Sequence, residues 1–241
     1  MTVADRAVHL WVIRLAASEP VLEKCRGSLA RDERERAERF HFEEHRRSYV
    51  LGRGALRALL GAYSGTAPAS VEFSYGPKGK PALRGDAALR FNVSNSGDLA
   101  AFAFTAGCEL GVDLERIRSL RDLEAVARRF FAPDEIGELM ALAEEDRPSG
   151  FFNCWTRKEA YIKAVGDGLY VPLDSFSVTL RPGEAARMIQ LNGSRETARG
   201  WTLEAFDPAP GFAGALAYPE QRRTVAAQPL MNIDELLHAL G

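Results

Sequence analysis

The stretch Phe151-Phe152-Asn153-Cys154-Trp155-Thr156-Arg157-Lys158-Glu159-Ala160-Tyr161-Ile162-Lys163-Ala164 decides how the rest of the chain is read. Laid out at about 100° per residue, it sorts into two faces. Phe151, Phe152, Trp155, Ile162 and Val165, the residue just past the quoted stretch, fall in one apolar arc. Lys158 falls inside that arc and Glu159 at its edge. A charge on a face meant for the interior is costly unless it is paired or bound. Two readings stand. One is an amphipathic helix whose long side chains reach round to water. The other is a helix that carries working charges into the fold, with Lys158 buried against a carboxylate in a structural role. Lys163, four residues after Glu159 on the same face, is either half of an ordinary surface pair or a cation that meets a phosphate.

Working outward, Gly111-Val112-Asp113-Leu114-Glu115 offers a partner. On a strand, residues two apart share a face. Asp113 and Glu115 therefore project together while Val112 and Leu114 enter the core. Such a pair is either the solvated face of an edge strand or two ligands of one cation. Oxygen ligands without His or Cys suit Mg²⁺ rather than zinc, and Glu159 would be the third acid.

Hydrophobic periodicity elsewhere predicts a mixed α+β chain. Strands are expected at 9–15, 70–75, 89–93, 99–104 and 109–114, and later at 176–180, 188–191, 201–206 and 211–218. Ser28 reads as the cap of a helix reaching Phe40. A longer helix spans 43–63, where Gly52 and Gly54 allow close helix packing. Gly52-Arg53-Gly54 is not a dinucleotide fingerprint, because no glycine follows three residues later and no strand precedes it. Arg46, Arg47, Arg53 and Arg57 read as surface charge. Further helices are expected at 123–131, at 134–143 after Pro133, and at 232–240. Turn formers mark 76–81, 94–98 and Gly166-Asp167-Gly168-Leu169. A seam near Ala106-Gly107 divides the chain into units 1–106 and 107–241.

The 241 residues carry 46% apolar and 27% charged side chains and a net charge of −2, which argues against a general nucleic-acid binder. Three widely spaced cysteines (Cys25, Cys108, Cys154) fit neither a disulfide framework nor a zinc site, so a cytoplasmic protein is expected. No leader and no membrane span is apparent in the sequence. Residues 26–90 hold 13 Lys/Arg against 8 Asp/Glu, whereas 101–150 hold 6 against 11. This is either chance among solvated helices or a basic half for phosphates facing an acidic half for a metal.

Taken together, Gly111 to Glu115, Phe130-Phe131 and Trp155 to Lys163 resemble the signature of the 4′-phosphopantetheinyl transferases. Lys78-Gly79-Lys80-Pro81, Phe91-Asn92-Val93-Ser94-Asn95-Ser96, Gly168-Leu169 and Pro172 to Val178 resemble further blocks of the long, surfactin-synthetase-activating type. The resemblance implies two similar α/β subdomains related by a pseudo-twofold. It also implies transfer of the 4′-phosphopantetheine arm of coenzyme A to a serine of an apo acyl or peptidyl carrier protein, releasing adenosine 3′,5′-bisphosphate. Asp113, Glu115 and Glu159 would hold Mg²⁺. Arg36, Lys78, Lys80, Ser94, Asn95, Asp113 and Lys163 would contact coenzyme A, and Glu159 or Lys163 would take the serine proton. Arg116, Arg118, Arg121 and Arg128, with Ile117, Leu120 and Leu123, would offer an acidic carrier a basic and apolar surface. A monomer is expected, with no membrane or nucleic-acid partner.

One position departs from the family pattern. Asn95 stands where the family usually has His, and it offers hydrogen bonds without charge. The same acids would also serve a metal-dependent nucleotide pyrophosphohydrolase, and an inactive coenzyme A or carrier-binding homologue is the third class.

Overall fold

In the first half, β1 (Ala7–Arg14) is followed by α1 (Glu19–Ser28), α2 (Arg31–Glu38) and the long α3 (Glu43–Ser64). Then come β2 (Phe73–Tyr75), β3 (Pro81–Leu83), β4 (Leu89–Ser96) and β5 (Leu99–Ala106). The second half runs β6 (Gly111–Arg116), α4 (Leu123–Phe130), α5 (Pro133–Met140), α6 (Arg147–Val165), β7 (Phe176–Val178) and β8 (Met188–Leu191). It continues through α7 (Arg195–Ala198), β9 (Trp201–Phe206), β10 (Phe212–Pro219), β11 (Thr224–Ala227), β12 (Met231–Asn232) and α8 (Ile233–Leu240). The computed structural model describes residues 1–76, 78–86, 88–166, 171–219 and 222–241. Pro77 of the expected 76–81 turn, and Asp167, Gly168 and Leu169 of the later one, lie outside the described residues.

Two sheets carry the fold. The first has the order β11-β1-β5-β4, with β12 also paired to β1, and the second has the order β6-β10-β9. Each half repeats one pattern: a strand, a long helix, then two more strands. The last strand lies between the other two and is antiparallel to both, as β5 lies between β1 and β4 and β10 between β6 and β9. This agrees with the mixed α+β class and with two similarly built units.

Strand alternation sets the layers. Trp11, Ile13, Phe102 and Phe104 face α3, where they join Leu51, Leu56 and Leu59 in one core. Val8, Leu10 and Val12 point the other way and meet Val112, Leu114 and Leu216 of the second sheet. Ala213, Ala215 and Ala217 of β10 lie under α6 with Phe151, Cys154 and Ile162. The order is therefore helix, sheet, sheet, helix.

Three expectations need correction. Ser28 is the last residue of α1, and its hydroxyl donates to Cys25 O at 2.7 Å; α2 begins after Ala30, whose N–H is taken by Glu33 Oε2 at 2.8 Å. Arg57 is not surface charge: it is 1% exposed, paired with Glu33 and donating to Pro68 O and Val71 O. β4 runs on through Ser96, because Gly97 (φ +58°) and Asp98 form a two-residue hairpin that lets Ser96 pair with Leu99. The boundary at 106 separates β1–β5 from β6–β10, but residues 224–240 return to the first unit. There β11 and β12 pair in parallel with β1, and Ile233 and Leu236 of α8 enter the α3 core.

Candidate active site

Because Val112 and Leu114 fill the space between the sheets, Asp113 and Glu115 turn towards α6. The helix crosses β6 in direct backbone contact: a Cβ on Gly111 would lie 1.9 Å from Ala160 O. Only glycine permits this approach. It brings Glu159 and Lys163, one helical turn apart, over the strand.

β4 supplies the opposite wall. Its alternate residues Asn92, Ser94 and Ser96 bond β6 through side chains rather than through paired main chains. Asn92 Oδ1 accepts Val112 N–H at 2.9 Å, Ser94 Oγ donates to Asp113 Oδ1 at 2.7 Å, and Ser96 Oγ donates to Glu115 Oε2 at 2.6 Å. Ser96 Oγ also accepts Arg116 N–H at 3.2 Å. Lys163 Nζ completes the set, at 2.6 Å from Asp113 Oδ1 and 3.0 Å from Ser94 Oγ. The sequence reading missed Asn92 and Ser96. Their signal is the 92, 94, 96 alternation, which a strand ending at Val93 does not reach.

Two cavities lie side by side here. One of about 350 Å³ is lined by Val93, Ser94, Asn95, Asp113, Glu115, Trp155, Glu159 and Lys163. The other, about 1050 Å³, has Arg36, Tyr49, Arg53, Tyr75, Gly79, Pro81 and Arg116 in its wall and shares Val93 and Asn95 with the first. Arg36 stacks over Tyr49, its guanidinium 5.4 Å from the ring. Lys78 and Lys80 instead line a third cavity of about 400 Å³. Lys80 Nζ is engaged by Glu109 at 2.7 Å, Ala164 O at 3.0 Å and Leu110 O at 3.3 Å.

Burial holds all three site carboxyls above the ordinary range. At Asp113 the Lys163 ammonium and the Ser94 hydroxyl pull partly back. At Glu115 burial is opposed by the Ser96 hydrogen bond and reinforced by Asp113, and at Glu159 it is reinforced by Asp113 and opposed by Lys163. Three acids that disfavour one another's ionisation are a receptor for positive charge. Asp113 Oδ2 is buried and has no hydrogen-bond partner. An orphaned carboxylate oxygen of this kind fits a hard cation. Among the described residues, no group of three or more His, Cys, Asp or Glu is arranged as it stands to hold a metal ion. Lys163 holds the other Asp113 oxygen.

Lys158 lies where the helix reading put it. It is fully buried, 2.8 Å from Glu135, and donates to Leu173 O at 2.7 Å and Phe176 O at 2.5 Å. It ties α6 to α5 and β7 and stands outside the cavity lining.

Residues 109–217 match the 4′-phosphopantetheinyl transferase superfamily, and residues 17–107 match the family described as 4′-phosphopantetheinyl transferase, N-terminal. The chain is 40% identical to 4′-phosphopantetheinyl transferase HetI of a Nostoc species, over 90% of each chain. It is 30% identical to 4′-phosphopantetheinyl transferase Sfp of Bacillus subtilis, over 89% of this chain and 92% of that one. A Thermotoga maritima holo-[acyl-carrier-protein] synthase structure aligns with 47% of this chain and 64% of that one at 19% identity and a TM-score of 0.35.

Proposed function

The chain belongs to the 4′-phosphopantetheinyl transferase superfamily, and from that premise we propose that it moves the 4′-phosphopantetheine arm of coenzyme A onto a serine of an apo acyl or peptidyl carrier protein. In this reading the serine oxygen attacks the β-phosphorus of the pyrophosphate, the bridging P–O bond breaks, and adenosine 3′,5′-bisphosphate leaves. The observation that carries it is an acid-lined cavity set beside a far larger one, with Val93 and Asn95 in the walls of both.

The residues have distinct tasks. The large cavity takes the nucleotide end, with Arg36 and Arg116 among its cations and Asn95, which lines both cavities, as a neutral donor. Asp113, Glu115 and Glu159 would hold Mg²⁺, which supplies charge neutralisation at the pyrophosphate when bound. Lys163 brings a second positive charge to the same place, where phosphoryl transfer asks for positioning and electrostatics above all. Glu159 lines the acidic cavity beside Lys163, where a carboxylate oxygen is placed to accept a proton. It takes the serine proton.

Among the described residues no helix is long and apolar enough to cross a membrane. For the carrier we favour the region after β6. Arg118 lies 5.7 Å over the Phe152 ring there, whereas Arg128 is held by Glu124 of its own helix.

The test is to incubate the protein with coenzyme A, Mg²⁺ and an apo carrier protein and to weigh the carrier. A gain of the phosphopantetheine mass is expected. Coenzyme A cleavage with an unmodified carrier would indicate a hydrolase. Intact coenzyme A with every carrier tried would indicate a binding protein.

A further inference from the structure

The resemblance implies that Lys80 grips a phosphate, yet its ammonium points at the junction of two elements that carry the site. Ala164 O belongs to the last turn of α6, next to Lys163 and five residues from Glu159. Leu110 O belongs to the residue before β6, three from Asp113, and Glu109 lies just upstream. Carbonyls at a helix C-terminus have no partner within the helix, and a cation there also complements the helix dipole. The helix stops beside Lys80: Gly166 follows α6 at φ +77°, and a Cβ on it would meet Lys80 Cδ at 3.2 Å. The lysine backbone is held too, since its carbonyl accepts Gly76 N–H at 2.9 Å. Its neighbours Gly79 and Pro81 line the 1050 Å³ cavity.

We propose that Lys80 is a positioning residue: its ammonium clamps the end of α6 to the start of β6 and so sets the placement of Glu159 and Lys163 against Asp113. The inference rests on the transferase reading for its kinetic test. The helix meets β6 backbone to backbone at Gly111, so it has no soft side-chain layer there to absorb a shift. Reacting groups misplaced by about 1 Å lose on the order of a hundredfold in rate.

The experiment compares Lys80→Met, Lys80→Arg and Glu109→Gln with the wild type. It reads kcat, KM for coenzyme A, calorimetric Kd for coenzyme A, and hydrogen exchange. Lys80→Met is expected to lower kcat by about tenfold or more while KM and Kd stay within about twofold, and Lys80→Arg to recover part of the loss. A rise of about tenfold in KM and Kd with kcat preserved would make Lys80 a phosphate ligand and overturn the proposal, as would unchanged kinetics. If Lys80→Met does not fold, Glu109→Gln, which removes the carboxylate that Lys80 shares with Arg90 and leaves the two carbonyls in place, must show a smaller loss in kcat with KM and Kd unchanged; an unchanged kcat overturns the proposal. A wild type that modifies no carrier defeats the transferase reading alone. Exchange then decides: amides of 110–113 and 162–166 must exchange faster in Lys80→Met than in the wild type, and unchanged rates there refute the clamp.

Discussion

Glu33 and Glu135 occupy matching places in the two halves. Each is the third residue of a short helix, reaches back to the N–H of an alanine that cannot cap the helix itself, and pairs with a cation on the half's long helix. All four members of these pairs are buried. Their surroundings differ. Burial alone would raise Glu33, but hydrogen bonds from Arg57, Ala30 N–H and Arg53 hold its carboxyl below the ordinary range. Glu135 has one ammonium and the N–H groups of Ala132 and Val178, and burial keeps it raised. The first half surrounds its glutamate with guanidinium groups and uses the neighbouring face for a large cavity. The second half sets a single lysine beside its glutamate, and the next residue on the same helix, Glu159, faces the acidic cavity. One arrangement has thus been put to two uses by the charges around it.

The largest expected difference is in activity. Asp113→Ala and Glu159→Ala should each lower turnover by about a thousandfold with unchanged circular dichroism. Arg57→Met in the first half should leave kcat within about threefold at temperatures well below its Tm, since it touches neither cavity. Wild-type turnover in either alanine variant would defeat the assignment of the acids.

In stability the buried cations come next. Lys158→Met leaves Glu135 without its only ammonium and should cost about 3–5 kcal/mol in urea denaturation. Arg57→Met leaves Arg53 on Glu33 and should cost less, about 1–3 kcal/mol. Equal losses would mean that the second guanidinium does nothing. The glycines give a smaller contrast. Gly111→Ala drives a Cβ into a backbone carbonyl and should cost about 3 kcal/mol. At Gly54 the added Cβ meets Cys25 Cβ at 2.5 Å and Cys25 Cα at 3.0 Å, a less severe approach than at Gly111 that still requires α1 to move, so Gly54→Ala should cost about 2 kcal/mol.

The smallest effect is on pH dependence. Glu33 has a folded pKa below its unfolded one, so its stabilisation is present above the unfolded value and is lost as pH falls through the folded one. Glu135 is raised, so its contribution runs the other way and weakens as pH rises through the folded value. Glu33→Gln should therefore flatten the loss of stability between about pH 5 and pH 3 relative to wild type. An unchanged acid limb in denaturation curves would show that Glu33 is not depressed.

The site acids could be read from the sequence because each rule involved is local. Alternation puts Asp113 and Glu115 on one face, and helical pitch puts Glu159 and Lys163 on another. Lys158 was readable for the same reason, as a charge inside an apolar arc. What escaped depended on partners far along the chain. Arg57 looks like any helix-surface arginine until Glu33 and the carbonyls of Pro68 and Val71 close around it. Ser96 looks like a turn former until β5 pairs with it. Lys80 lies in a loop whose residue types suit an anion, and only the end of α6, more than eighty residues later, turns its ammonium elsewhere. The return of β11 and β12 to β1 left no mark in local pattern at all.

That return has a consequence for how the protein is made. On the ribosome the first half emerges early, with β1 already able to pair with β5, but the strands on its other side come from residues 224–232. Until synthesis passes that point, β1 presents an open edge to any other extended chain. A polypeptide stopped near residue 220 would contain every acid of the site and still expose that edge. Nascent and prematurely terminated chains are thus the forms most in need of a chaperone.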